Sequence, residues 1–178
     1  MTETKKELRY RLRTEADRLD CEYKKDASRL ISEKLLASPA FLDSNSVFIY
    51  AGTENEPDTS EIIRMALLLG KNVYLPKCGE NHTMKAIRIY GTDELKKGYM
   101  GIAEPIGTEE ADCIDLAVIP CISASADGRR LGHGAGFYDR FLAAHTDTKK
   151  ICLCFGRLLC DDIPMDEHDI FMDKIITE

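Results

Sequence analysis

The stretch DLAVIPCISASADGRRLGHGAGFYDRFL, Asp115 to Leu142, passes through three local patterns in succession. Leu116 to Ile119 is a short, wholly apolar run, the signature of a strand buried on both faces. Pro120 stops it, and Gly128, Gly132, Gly134 and Gly136 then break any regular periodicity. From Phe137 to about Ala144 the apolar spacing becomes helical, and Ile151 to Phe155 supplies a second strand. Strand, loop, helix and strand in this order form one βαβ unit.

Working outward, the same alternation recurs. Val47 to Tyr50 reads as a strand entering a polar loop from Gly52 to Pro57. The Asp58 and Glu61 pair has capping-box spacing, and Ile62, Ile63, Ala66, Leu67 and Leu69 give the following helix its buried face before Gly70 closes it. Val73 to Leu75 reads as a strand ended by Pro76, and Met84 to Tyr90 as another. Gly98, Gly101, Pro105 and Gly107 punctuate an irregular connection. Earlier, Leu8, Leu12, Leu19, Tyr23, Ala27, Leu30, Ile31 and Leu35 recur at helical intervals, with a break between Thr14 and Asp20 and an end at Pro39. The pattern predicts an α/β fold in one domain over residues 1–178: three layers, a mostly parallel sheet with helices on both faces, Rossmann-like. Ligands of such sheets gather at strand carboxyl ends, which directs attention to the loops Gly52 to Pro57, Gly98 to Gly107 and Pro120 to Gly136.

Composition narrows the function classes. A net charge of −7 argues against broad attachment to nucleic acid or to an acidic membrane. The longest apolar runs, Met65 to Leu69 and Ile151 to Phe155, fall far short of the roughly 20 residues a membrane span requires. The opening MTETKKELRYR has no apolar stretch behind its basic residues, so a soluble, cytoplasmic protein is expected, with a monomer as the default. Seven cysteines without a CxxC pair read as reduced thiols, and Cys152 and Cys154 fall on one face of a strand as core filler.

Chemistry concentrates in the glycine-rich loop. Glycines let backbone N–H groups approach a phosphate, and a helix start behind them adds partial positive charge. Arg129 and Arg130 offer guanidinium donors, and Asp139 could hold a magnesium ion bridging phosphate oxygens. The plainer reading is a glycine turn with Asp139 as a favourable charge in the first helical turn. Neither a Walker A sequence nor GxGxxG is present, so the loop alone does not decide between them.

The fuller string does. RLGHGAGFYDRFL resembles the RLGxGxGxYDxxL signature of the 5-formyltetrahydrofolate cyclo-ligase family, and further landmarks follow in that family's order: KKELR (Lys5 to Arg9), ENEPDTSEII (Glu54 to Ile63), VYLP (Val73 to Pro76), GYMGIAEP (Gly98 to Pro105), DLAVIP (Asp115 to Pro120) and IPMDEHDIFMDKIITE (Ile163 to Glu178). The resemblance implies the cyclo-ligase fold and an enzyme that uses ATP and Mg2+ to convert 5-formyltetrahydrofolate, in some cases polyglutamylated, into 5,10-methenyltetrahydrofolate. It places Lys5 and Arg9 on the nucleotide phosphates, where spacing alone suggests a solvated basic face. Arg130, Gly132, His133, Gly134, Ala135, Gly136, Phe137 and Tyr138 fall on its ATP-binding signature, with Arg130, Tyr138 and Asp139 as catalytic residues. Asp139 and Asp173 match magnesium-proximal acids, and Ala51, Glu56 and Met100 match the folate pocket. Asp139 would act electrostatically, so its removal should leave the fold intact. The chain departs from the family where Ala135 replaces a usual lysine and where Cys121, Ala124 and Ser125 replace glycine, phenylalanine and aspartate. Two alternatives follow: a folate- or nucleotide-binding homologue without turnover, or a small-molecule kinase or ligase with another acceptor.

Overall fold

The computed structural model describes residues 3–98 and 101–178. Thr4 and Glu7 form a reciprocal capping box that opens helix α1 (Lys5–Arg18). Asp20 accepts from Tyr23 N and caps α2 (Cys21–Leu36), so the expected break falls at Leu19 and Asp20. Pro39 does not merely follow α2 but starts a short helix, α3 (Pro39–Leu42), at the first-turn position where its missing N–H costs nothing.

Next come β1 (Ser46–Ile49), α4 (Ser60–Leu68), β2 (Asn72–Cys78) and β3 (Met84–Ile89). Two expectations need correction here. The N-cap of α4 is Thr59 without a side-chain cap bond, because Asp58 instead accepts from Ser60, and Glu61 pairs with Arg64. Thr59 is fully buried, and its hydroxyl donates to Tyr50 O at 2.6 Å, tying the two ends of the loop together. The second correction concerns Pro76, which does not end β2. Register with β1 stops at Tyr74, so from Leu75 onward β2 pairs only with β3, and an edge tolerates proline.

The connection that was expected to be irregular contains a small antiparallel pair, β4 (Leu95–Lys97) with β5 (Ala103–Pro105). Beyond it lie β6 (Leu116–Ile119), a two-residue hairpin of β7 (Ser123–Ala124) and β8 (Arg130–Leu131), α5 (Phe137–Ala143), β9 (Lys149–Leu153) and β10 (Lys174–Ile176). The main six-stranded sheet has the order β10-β9-β6-β1-β2-β3, parallel except for β3. Every residue of β1 and β6 is buried, as expected where both faces of a sheet are covered. Cys121, Cys152 and Cys154 are buried in this core, and all seven cysteines are free.

Two features of the topology build the site. From β1 the chain moves to β2 on one side, while β6 lies on the other, so the loops leaving β1 and β6 start side by side and diverge, the arrangement that opens a ligand crevice in such sheets. A second, smaller core joins Leu8 and Leu12 of α1 to Ile122, Leu131 and Ile163. Leu8 and Leu12 lie one helical turn apart on α1, so burying them against the β7–β8 hairpin turns the adjacent Arg9 and Arg13 toward the loop that follows β8.

Candidate active site

The loop after β1 is closed by its own polar groups. Tyr50 donates its hydroxyl to Pro57 O at 3.1 Å, and Gly52 sits so close that a Cβ there would lie 2.7 Å from Pro57 O. This closure buries Glu56, whose side chain is 6% exposed. Its Oε2 accepts from Thr53 N at 2.9 Å and Thr53 Oγ1 at 2.7 Å, and its Oε1 lies 3.0 Å from His133 Nε2. Burial pushes the Glu56 carboxyl upward, but His133 and Thr53 outweigh it and hold the group below its ordinary range. Ala51 is half-buried against the main core beside this loop. A cavity of about 640 Å³ opens here, lined by Lys24, Ser28, Ser32, Thr53, Glu56 and Asp58 among others.

The loop after β8 is surrounded by guanidinium groups. Arg9 donates Nε to Gly132 O at 2.8 Å, Arg13 donates to His133 O at 3.2 Å, and Arg140 donates to Ala135 O at 2.5 Å. With those carbonyls bound from outside, the N–H groups of residues 133–136 have no acceptor among the described residues. Gly134 and Gly136 have φ of +103° and +68°, left-handed conformations that hold successive amides in a concave turn suited to an anion. A Cβ at Gly132 would lie 2.7 Å from an Arg130 nitrogen.

Arg130 is 4% exposed and donates to both oxygens of Asp139 at 2.9 Å, while its Nε is buried without an acceptor among the described residues. Asp139 also accepts from Ile170 N at 3.3 Å. Tyr138 packs against Phe48 and lies under Arg130, and burial followed by the charge of Glu56 pushes its hydroxyl well above the usual value. Phe137 meets the His82 ring edge-on at 5.3 Å.

The structure therefore brings Glu56, Arg9 and the whole Arg130 to Asp139 segment together. It places other expected residues differently. Lys5 is held by Asp166 at 2.6 Å and by Asp169, which compete with any ligand for its ammonium group. Asp173 has another role: its carboxylate accepts from Lys150 N at 2.7 Å, fixing the amino end of the β9–β10 pair. Arg129 donates to Asp127, Asp161 O and Ile163 O, which turns it away from the glycines. Met100 lies outside the described residues. Cys121, Ala124 and Ser125, where the chain departs from the family string, are all buried, and the Ser125 hydroxyl donates to Asp127.

Sequence reasoning missed Arg13 and Arg140. Arg13 was within reach, because Lys5, Arg9 and Arg13 continue a four-residue spacing along one helix face. Arg140 had no such signal.

A cluster of arginines without direct ion pairs, around amides without acceptors among the described residues, fits a polyphosphate. Burial, and then the charge of Arg13, pull Arg9 below its ordinary pKa. A magnesium ion fits less closely. Among the described residues no group of three or more His, Cys, Asp or Glu forms a metal cage. Asp139 could contribute a carboxylate oxygen, and phosphate oxygens and water would have to complete the shell.

Comparison with known proteins identifies the same class. The family model described as "5-formyltetrahydrofolate cyclo-ligase family" matches residues 1–178. A probable 5-formyltetrahydrofolate cyclo-ligase of Caenorhabditis elegans is 31% identical, covering 99% of this chain and 93% of its own. The Mus musculus 5-formyltetrahydrofolate cyclo-ligase is 30% identical, covering 97% and 90%. The NMR structure of Aquifex aeolicus 5,10-methenyltetrahydrofolate synthetase superposes with a TM-score of 0.86 at 27% identity, over 97% of this chain and 88% of that one.

Proposed function

The chain belongs to the 5-formyltetrahydrofolate cyclo-ligase family, and from that premise we propose that it cyclises 5-formyltetrahydrofolate to 5,10-methenyltetrahydrofolate at the cost of one ATP. The observation that carries the proposal is the 3.0 Å contact between Glu56 and His133, which joins the acidic loop after β1 to the amide-lined loop after β8. A reaction that phosphorylates a folate oxygen requires such adjacency.

In this reading the free amides of residues 133–136, with Arg9 and Arg13, bind the triphosphate. Glu56 accepts the pterin N–H groups and orients the formyl oxygen toward the γ-phosphorus. That oxygen attacks phosphorus, ADP leaves, and the resulting iminium phosphate carries a good leaving group in place of a poor one. The N10 amine then attacks the formyl carbon, closing the ring and releasing inorganic phosphate. Arg130, neutralised by Asp139, fixes the shape of the loop beside Gly132. Magnesium bound to the nucleotide would neutralise phosphate charge, with Asp139 as its protein contact. Positioning and charge neutralisation supply most of the catalysis in phosphoryl transfers of this kind.

No helix among the described residues is long and apolar enough to cross a membrane. Seven unpaired cysteines support residence in a reducing compartment such as the cytoplasm. Protein mixed with Mg-ATP and 5-formyltetrahydrofolate should develop the near-ultraviolet absorbance of methenyltetrahydrofolate. Binding of both ligands without that signal would mark a homologue that has lost turnover, and ATP consumption only with another acceptor would mark a different kinase or ligase.

A further inference from the structure

Carbonyls of the loop after β8 are held by guanidinium groups at Gly132, His133 and Ala135, yet only the first two of those arginines come from α1. The third, Arg140, belongs to α5 and is tied at two points. Its Nη2 donates to Ala135 O at 2.5 Å, and its Nε donates to His82 O at 3.3 Å, in the tip between β2 and β3. A guanidinium carries five N–H donors in one plane, so these bonds leave both protons of Nη1 and one of Nη2 without an acceptor among the described residues. Nor does any described carboxylate pair with Arg140.

Gly136 fixes where the unused donors lie. A Cβ on that residue would be 2.9 Å from Arg140 Nη1, so the guanidinium rests directly on the glycine. The Gly136 N–H is itself one of the amides that lack an acceptor among the described residues. Arg140 therefore sets open guanidinium donors against the residue that ends the run of open amides. An exposed arginine is ordinarily a solvated charge that samples many rotamers. Here two carbonyls from separate loops hold the guanidinium in one place, and a cation held by carbonyls alone keeps its attraction for an anion.

We propose that Arg140 is a further phosphate-contacting residue, acting with Arg9 and Arg13, and that it brings α5 and the β2–β3 tip into the nucleotide site. The inference rests on the reading of residues 133–136 as the phosphate loop. The competing role for the same contacts is mechanical: a clamp between two carbonyls whose charge does not matter. Lysine and glutamine separate the two roles. Lysine keeps the charge without the planar fork that spans both carbonyls, whereas glutamine keeps a donor for one carbonyl without the charge.

Calorimetric titration with inorganic tripolyphosphate, and then with ATP, reads the phosphate contact without the folate. Arg140→Gln should weaken both by about tenfold, the factor that corresponds to one charge-assisted bond, and should flatten the dependence of binding on salt. Arg140→Lys should stay within about threefold of the parent and keep the parental salt dependence. Ala135→Lys in the Arg140→Gln background returns a cation to the same turn and should recover most of the lost affinity. Equal weakening in the lysine and glutamine variants would mark a clamp and overturn the proposal, as would an unchanged tripolyphosphate affinity in Arg140→Gln. If the parent and its variants bind tripolyphosphate as expected but the parent forms no methenyltetrahydrofolate, the cyclo-ligase reading fails while the role of Arg140 stands.

Discussion

Two arginines lie against Gly132, and the fold treats them differently. Arg130 comes from the β7–β8 hairpin, is almost wholly buried, and is neutralised by Asp139. Arg9 comes from α1, is half-buried, and has a single hydrogen-bond partner among the described residues, the carbonyl of Gly132. One guanidinium is built into the structure with its counterion, and the other is left with charge to offer. A loop meant to grip an anion needs both, since the first fixes its shape and the second supplies attraction that Asp169 and Asp166 offset only without a direct ion pair among the described residues.

Breaking the buried pair should have the largest effect. Arg130→Ala leaves Asp139 without its partner in a mostly buried setting, and removal of one member of such a pair costs about 3–5 kcal/mol. Urea unfolding should show that loss as a lower midpoint. A loss under about 1 kcal/mol, the worth of an exposed pair, would mean that Arg130 does not anchor the loop. The same logic corrects the expectation for Asp139, whose removal would strand the Arg130 charge and so impair the fold together with nucleotide use. Asp139→Asn, which keeps an acceptor for Ile170 N, separates the two effects better than Asp139→Ala.

These two arginines also show what the sequence could and could not disclose. The strand Leu116 to Ile119 and the helix beginning at Phe137 were legible because apolar periodicity and glycine punctuation report local structure directly. Arg130 was visible as part of a continuous string. The position of Arg9 depended on a contact across 123 residues, made through the small core of Leu8, Leu12, Ile122, Leu131 and Ile163, and no local pattern encodes that packing. The hairpin of β7 and β8 and the three-residue β10 were too short for any periodicity to register. Asp173 was misplaced for a related reason: a carboxylate that fastens two strand ends looks, in one dimension, like any other conserved-type acid near the terminus.

Removing the free cation should affect binding and spare the fold. Arg9→Ala deletes a charge-assisted contact to phosphate, which should raise KM for ATP about tenfold. The urea midpoint should stay near that of the parent, because Leu8 and Leu12 still pin α1 to the hairpin. The parental preference for ATP should weaken with added salt, and the variant should lose part of that dependence. A stability loss comparable to that of Arg130→Ala would show that Arg9 is structural too, and the contrast between the two arginines would disappear.

The smallest effect belongs to Lys5, which lies between the two extremes. It stands four residues before Arg9 on the same helix face, yet Asp166 and Asp169 hold it, and their attraction outweighs burial to raise its pKa. If Lys5 joins Arg9 and Arg13 when a nucleotide arrives, the two aspartates compete with phosphate for it. Asp169→Asn weakens that competition and should lower KM for ATP by about two- to threefold at low ionic strength, an advantage that fades as salt screens exposed charges. The double variant Lys5→Ala with Asp169→Asn should lose the gain. An unchanged KM in the single variant would leave Lys5 as a surface tether between α1 and the segment before β10, and the cationic face of α1 would then consist of Arg9 and Arg13 alone.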